Sequence, residues 1–365
     1  MTKIALFMPL LSCGGAERVF MHLGRGFARQ GIQVDMVLSR AEGPFRSEVP
    51  EEVRMVDLGA PRVLFSLPGL VRYLRRERPG ALLSALDHAN VIAVLAQHIA
   101  RVPTKVVVSV HSTPSRVVAN AATLRARLMP LWVKPFYPRA HAVVAVSQGV
   151  AGELVHKLGI PAEKVHTIYN PIITPELFEK AEEPLEHPWF KESEPPVVLG
   201  VGRLTPAKDF ATLLRAFALV RAQRPARLMI LGEGELRSEL EQLARDLGIE
   251  KDVALPGFVQ NPYPYMKRAG VFVLSSRWEG LPTVLVEALA LGTPVVSTDC
   301  PSGPAEILEG GRFGTLVRQG DEKALADAVL HTLQQPRSPA QAHVYERFTI
   351  EYALKQYSQL LGIAG

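Results

Sequence analysis

Two acidic residues eight positions apart, Glu279 and Glu287, flank a Gly280-Leu281-Pro282 turn in the stretch SSRWEGLPTVLVEALALGTPVVSTD. Pro282 suits the first turn of a helix. It leaves the amides of Thr283, Val284 and Leu285 unpaired at the helix end, where they and the helix dipole favour an anion such as a diphosphate. Glu279, just ahead of the turn, reaches a neutral hydroxylated group carried by that diphosphate. Glu287 lies among Val, Leu and Ala, where a carboxylate is costly unless it accepts hydrogen bonds, and a ribose offers two donors on adjacent carbons. The plainer alternatives are a buried salt bridge for Glu287 and an exposed loop charge for Glu279.

Three other stretches carry comparable chemistry. In GVGRLTPAKDF, Arg203 and Lys208 stand five apart on a loop that lacks the third glycine of a dinucleotide fingerprint. Arg203 suits bidentate binding of a phosphate and Lys208 supplies a point charge, although both residue types are more often solvated at the surface. In SCGGAER, Gly14 and Gly15 open a helix. Either their backbone amides approach an anion, or the turn simply needs positive φ. His111 ends the run KVVVSVH with no second ligand at metal-binding spacing, so it reads as a cleft residue rather than a metal ligand. The chain contains no Asp-x-Asp pair to hold a divalent ion against a diphosphate. The cations and the helix end are expected to neutralise it instead, with no metal and no cofactor.

These residues follow short β-branched runs that alternate with amphipathic stretches, the pattern of βα units and a parallel sheet. One series holds KIALFMP, QVDMVLS, VRMVDL, ALLSAL, KVVVSVH, HAVVAVS and VHTIYN. A second holds PPVVLGVGRL, ARLMILGEG, DVALPGF, VFVLSS, TPVVSTD and GTLV. Between the series, residues 171–196 are rich in Pro and Glu without apolar period and read as a connection. The expected fold is α/β, with two Rossmann-like doubly wound domains, residues 1–172 and 195–345, facing a cleft. A helix in 346–365 closes back towards the first domain. Ligands in such sheets sit at the carboxyl ends of the strands, where the stretches named above begin.

Composition agrees with two globular domains: 365 residues, 47% hydrophobic and 21% charged. Cys13 and Cys300 are far apart, so neither a disulfide framework nor a zinc site is indicated and a reduced cytoplasm fits. The N-terminus reads as a strand rather than a signal peptide, and no apolar run approaches a membrane span. A net charge of +5 favours anionic partners. It does not choose among nucleic acid, anionic lipid and nucleotide phosphates.

Taken together, GGAERV, GRLTPAKDFATLLRAF, LGEGELRSELEQLA, LPGFV and SSRWEGLPTVLVEALALGTPVVSTDCPSGPAEIL resemble glycosyltransferase family 4, whose members have the two-domain GT-B fold and use nucleotide sugars. The resemblance covers nearly the whole chain. Glu279 and Glu287 together with Arg203 and Lys208 are its most specific part. It implies that Arg203 and Lys208 neutralise the leaving nucleoside diphosphate and that Glu287 binds the ribose. Glu279 with the backbone of Gly280, Leu281 and Thr283 contacts donor sugar and diphosphate, and Val284 belongs to the same helix end. By the same resemblance Gly14 and Gly15 close on phosphates and acceptor, His111 stands near the reacting sugar, Phe258 and Val259 line the base, and Glu306 is a further acidic position of the donor site.

The resemblance also implies retention of anomeric configuration. No carboxylate of the first domain is an evident nucleophile at a strand end apart from Asp87 and Glu17, the paired-carboxylate geometry of glycosidases is not visible in the sequence, and front-face departure is the expected route. The implied donor is a UDP-sugar, with GDP and ADP open. The implied acceptor is a glycan or lipid-linked glycan of bacterial polysaccharide or lipopolysaccharide synthesis, and no nucleic acid is involved. Residues 121–139 interleave Arg125, Arg127, Lys134 and Arg139 with Trp132, Phe136 and Tyr137, which suits peripheral contact with an anionic membrane, on its inner face. The alternative for that stretch is an ordinary helix over the sheet; residues 72–79 either extend the patch or form a solvated helix end. Rival activities are an epimerase or sucrose- or glycogen-type synthesis on the same fold, a non-catalytic sugar-nucleotide or glycan-binding component, and, weakest, a dinucleotide-dependent oxidoreductase.

Overall fold

The computed structural model describes residues 3–12, 14–115, 129–335 and 342–363. The chain divides into two compact units: Met1–Pro171 with Arg347–Gly365, and Ile172–Glu346.

The first unit holds seven parallel strands: β1 (Lys3–Met8), β2 (Gln33–Leu38), β3 (Val53–Asp57), β4 (Ala81–Ala85), β5 (Lys105–Val110), β6 (Ala142–Ala145) and β7 (Val165–Thr167). Their order is β3-β2-β1-β4-β5-β6-β7, so the direction of winding reverses between β1 and β4. β4 is buried at all five positions, as a strand covered on both faces must be. Helix α1 (Gly15–Arg29) turns Val19, Phe20, Leu23 and Phe27 onto one face of the sheet. The C-terminal helix, Ile350–Leu361, packs against α1 there and buries Ala353, Leu354, Tyr357 and Leu361 in the same core. The approach is close enough that a Cβ on Gly26 would stand 2.6 Å from Leu354 Cδ1. Helices α2 (Leu67–Glu77), α3 (Asp87–Ala100) and α4 (Met129–Phe136) are the other helices of this unit used below.

In the second unit six parallel strands, β8 (Val197–Val201), β9 (Arg227–Leu231), β10 (Val253–Gly257), β11 (Val271–Leu274), β12 (Val295–Thr298) and β13 (Thr315–Val317), run in the order β10-β9-β8-β11-β12-β13. Winding reverses here between β8 and β11. In both units the sequence-predicted strands are the observed ones.

Residues 172–196 are not a bare connection. They belong to the second unit and form helix α5 (Pro175–Ala181), which buries Leu177 and Ala181 against α7, as numbered here after α6 (Phe210–Gln223), at Tyr263–Arg268. Asn261 Nδ2 donates to Lys180 O at 2.9 Å, and Phe190 meets Tyr265 edge-on at 5.6 Å. Two apolar residues four apart suffice to seat a helix of two turns, but they are too few to show a period amid Pro and Glu.

Candidate active site

The second unit gathers its candidate residues on two loops, one after β8 and one after β11, on either side of the winding reversal, where open α/β sheets bind ligands. The loops are sewn together. Ser275 Oγ donates to Lys208 O at 2.8 Å, and the Arg277 amide donates to Ala207 O at 2.8 Å. The Arg277 guanidinium grips Asp209 with Nε–Oδ2 at 2.9 Å and Nη2–Oδ1 at 3.1 Å. Asp209 is buried with a left-handed φ of 48°. Its carboxylate also accepts from Thr212 Oγ1 at 2.9 Å, which anchors the strained residue to the first turn of α6.

On this platform Lys208 Nζ lies 2.6 Å from Glu279 Oε1, and Ser276 Oγ donates to the same oxygen at 2.6 Å. The two side chains are only 21% and 13% exposed, so Glu279 is not a solvated loop charge. Lys208 and Glu279 offset one another locally. Arg203, exposed and without an ion-pair partner among the described residues, supplies the uncompensated cation beside them.

The turn Gly280-Leu281-Pro282 leads into α8 (Thr283–Ala290), which has no acid in its first turn. The Leu285 amide, expected to be open, donates to Pro282 O at 3.1 Å because the helix enters through a tight first turn. The amides at the helix end outside that bond are those of Thr283 and Val284. Gly303 has φ +99° and presses on this turn, where any Cβ would collide with the Pro282 ring, and Ser302 Oγ donates to Gly280 O at 2.8 Å. One turn into α8, Glu287 is buried at 3% exposure. Phe258, 57% exposed, and Val259 follow β10, two strands from β8, and Glu306 lies on the short helix Pro304–Ile307. Burial keeps the Cys300 thiol protonated, with Glu279 adding to the effect.

The first unit holds a separate group. His111 follows β5; its Nε2 lies 2.9 Å from Ser109 Oγ, and its ring meets Phe20 edge-on at 6.4 Å. Nδ1 is buried without a hydrogen-bond partner among the described residues. Burial pushes the imidazole pKa down to about 4, so the ring is neutral at neutral pH. Asp87 follows the neighbouring strand β4. Ala85 pairs with Ser109, which puts Asp87 and His111 each two residues beyond a registered pair. Asp87 Oδ1 accepts from Tyr137 Oη at 2.7 Å, Tyr137 Oη accepts from Asn90 Nδ2 at 3.0 Å, and the same nitrogen donates to Ser109 O at 2.9 Å. Burial raises the Asp87 pKa. Leu86 before it has φ +73°, a conformation that costs a non-glycine residue energy and marks the strand end as constrained. The sequence signal for Asp87 was its place after a strand; its polar surroundings were invisible.

Gly14 and Gly15 depart from the expectation of a turn that needs positive φ. Neither has positive φ: Gly14 is extended, at φ −93°. A Cβ on Gly14 would collide with Oε2 of Glu17, whose carboxylate folds back over the start of α1 and accepts from Ser12 Oγ. The α1 end therefore already holds an anion of the protein's own. Residues 121–128 of the basic-aromatic stretch lie outside the described residues.

Two parallel-sheet units, each with candidate residues at the carboxyl ends of its strands, have the GT-B architecture. The family model described as Glycosyltransferase Family 4 matches residues 13–175, and that described as Glycosyl transferases group 1 matches residues 195–335. The chain is 30% identical over 347 residues, 92% of each chain, to the Campylobacter jejuni N-acetylgalactosamine-N,N'-diacetylbacillosaminyl-diphospho-undecaprenol 4-alpha-N-acetylgalactosaminyltransferase. It is 29% identical over 322 residues, 87% of this chain and 84% of the other, to the lipopolysaccharide core biosynthesis glycosyltransferase LpsE of Rhizobium meliloti. In fold it matches Anabaena HepE, solved in complex with UDP and glucose, with a TM-score of 0.80 over 100% of both chains at 22% identity. The protein belongs to glycosyltransferase family 4 and is a glycosyltransferase.

Proposed function

We propose that the protein moves a hexosyl or N-acetylhexosaminyl group, with retention, from a UDP-sugar to a glycan or lipid-linked acceptor of the bacterial envelope. Relatives named for transfer to a diphospho-undecaprenol-linked sugar and for lipopolysaccharide core synthesis support the acceptor class, and the UDP in the HepE complex supports the donor. The work takes place in the cytoplasm, at the inner face of the membrane where such an acceptor is embedded.

The observation that carries this reading is the Lys208–Glu279 pair at 2.6 Å, mounted where winding reverses and flanked by Arg203 and the α8 amides. In the proposed complex Arg203, Lys208 and the Thr283 and Val284 amides take the diphosphate, Glu279 with Gly280 and Leu281 takes the donor sugar, Glu287 takes the ribose and Phe258 with Val259 takes the base. As the bond from the anomeric carbon to the diphosphate breaks, its electron pair goes to the phosphate oxygen, which receives the proton of the incoming hydroxyl. The new bond forms on the face just vacated. Lys208 and Arg203 stabilise the growing charge without a divalent metal. His111, being neutral, positions by hydrogen bonding from the first unit, and Gly14 and Gly15 take part on the acceptor side.

The test is incubation with radiolabelled nucleotide sugars and bacterial lipid extract, with and without EDTA. Label should pass from a UDP-sugar into the lipid fraction equally in both. Label confined to isomerised nucleotide sugar, or bound without turnover, would sink the proposal, and inhibition by EDTA would remove its metal-free form.

A further inference from the structure

We infer that the outer face of α2, α3 and α4, together with the 3-10 turn Val63–Ser66 that leads into α2, is the surface by which the protein docks on an anionic lipid bilayer. The inference rests on the lipid-linked acceptor proposed above and assigns it a place on the molecule. Of nine exposed large apolar side chains among the described residues, five lie here: Leu64 (59% exposed), Phe65 (60%), Ile99 (44%), Leu131 (68%) and Trp132 (58%). The elements that carry them are contiguous, since α3 packs against the 3-10 turn, α2 and α4. Single exposed apolar residues are ordinary; five on one set of packed elements are not.

Charge selects the occupant. Arg62, Arg72, Arg75, Arg76 and Lys134 are exposed on the same elements. The acids on these elements are Glu77, already bound to Lys3, Arg54 and Arg76, and Asp87, which accepts from Tyr137 Oη at 2.7 Å. Leu67, Pro68, Val71, Arg72, Arg75 and Ile99 line a groove between α2 and the end of α3, so guanidinium groups and apolar walls share one depression. Arg75 Nη2 donates to Ile99 O at 2.9 Å, holding its charge at the groove wall. A protein partner of ordinary composition would bring acids and apolar residues in a fixed pattern. A surface of phosphate headgroups over hydrocarbon needs only cations around insertable side chains, which is what these elements present. Among the described residues no helix is long and apolar enough to cross a membrane, so attachment here is by a surface.

The test is flotation of the full chain with phosphatidylcholine vesicles and with phosphatidylcholine–phosphatidylglycerol vesicles. Binding should require the anionic lipid and weaken with salt. The double variant Leu64→Ser/Phe65→Ser and the charge variant Arg62→Glu/Arg72→Glu should each lower the bound fraction by about tenfold. Leu219→Ser, at a 42% exposed residue of the second unit, should change nothing. Brominated lipid should quench the fluorescence of the wild type and not that of Trp132→Phe. Unaltered melting temperature and unaltered UDP-sugar hydrolysis without acceptor would show that the variants fold and that the donor site is intact. Failure of that hydrolysis in the wild type would instead count against the transferase reading. Equal binding by wild type and both double variants, no binding to either vesicle, or a dimer that Leu64→Ser/Phe65→Ser turns into a monomer would each overturn the docking assignment.

Discussion

The helix that starts after β1 and the helix that starts after β11 open on similar-looking turns, GGAE and GLPT, yet only one has its N-terminus open to a foreign anion. At α1 the carboxylate of Glu17 folds over Gly14 and is held by Ser12. At α8 the first turn has no acid, Gly303 presses on the turn from outside, and Glu279, ahead of the turn, is engaged by Lys208 and Ser276. Glycines and helix dipoles are common to many turns. Whether such a turn binds phosphate depends on where the protein's own carboxylates go.

The largest test of this contrast is Lys208→Ala. It should lower turnover by about 10²–10³-fold, as loss of one charge-stabilising contact at a reacting centre does. Turnover measured at saturating donor checks this, and an unchanged value would leave the α8 side no more functional than the α1 side. Glu287→Gln should come next, weakening UDP binding by about tenfold in titration calorimetry while turnover at saturation falls less.

A third test concerns His111. Its folded pKa of about 4 lies below the ordinary 6.5, so between these values the unfolded chain takes the proton and the folded one does not. Stability should therefore fall as the pH drops from 6.5 towards 4, and His111→Asn should remove part of that slope in denaturant titrations. The pH profile of kcat/KM should show no inflection near 6.5 from this ring. The smallest effect is expected from Glu17→Gln. UDP affinity should stay within about twofold, with a loss of about 1 kcal/mol in unfolding free energy as the helix start loses its charge. A large gain in UDP affinity would mean that α1 is a phosphate site masked by Glu17.

Much of this was legible in the sequence because strands buried on both faces leave nearly unbroken apolar runs, and residues after them could be placed at strand ends without knowing the strand order. Arg203, Lys208, Glu279 and Glu287 were found in that way. The Arg277–Asp209 clamp was not, since it joins residues 68 positions apart whose types are ordinary in loops. The positive-φ alternative for Gly14 fell because a glycine beside a folded-back carboxylate looks in sequence like one that needs a left-handed turn. Helix α5 was missed because two buried residues carry no period. Asp87 was named for its place after a strand, but its partner was not visible, because the hydrogen bond to Tyr137 spans 50 positions.

The core against which α1 rests includes Ala353, Leu354, Tyr357 and Leu361, so the half synthesised first waits for a segment that leaves the ribosome after the whole second unit. A purified chain truncated after residue 345 should therefore show a folded, protease-resistant second unit beside a first unit still open at Phe20 and Phe27.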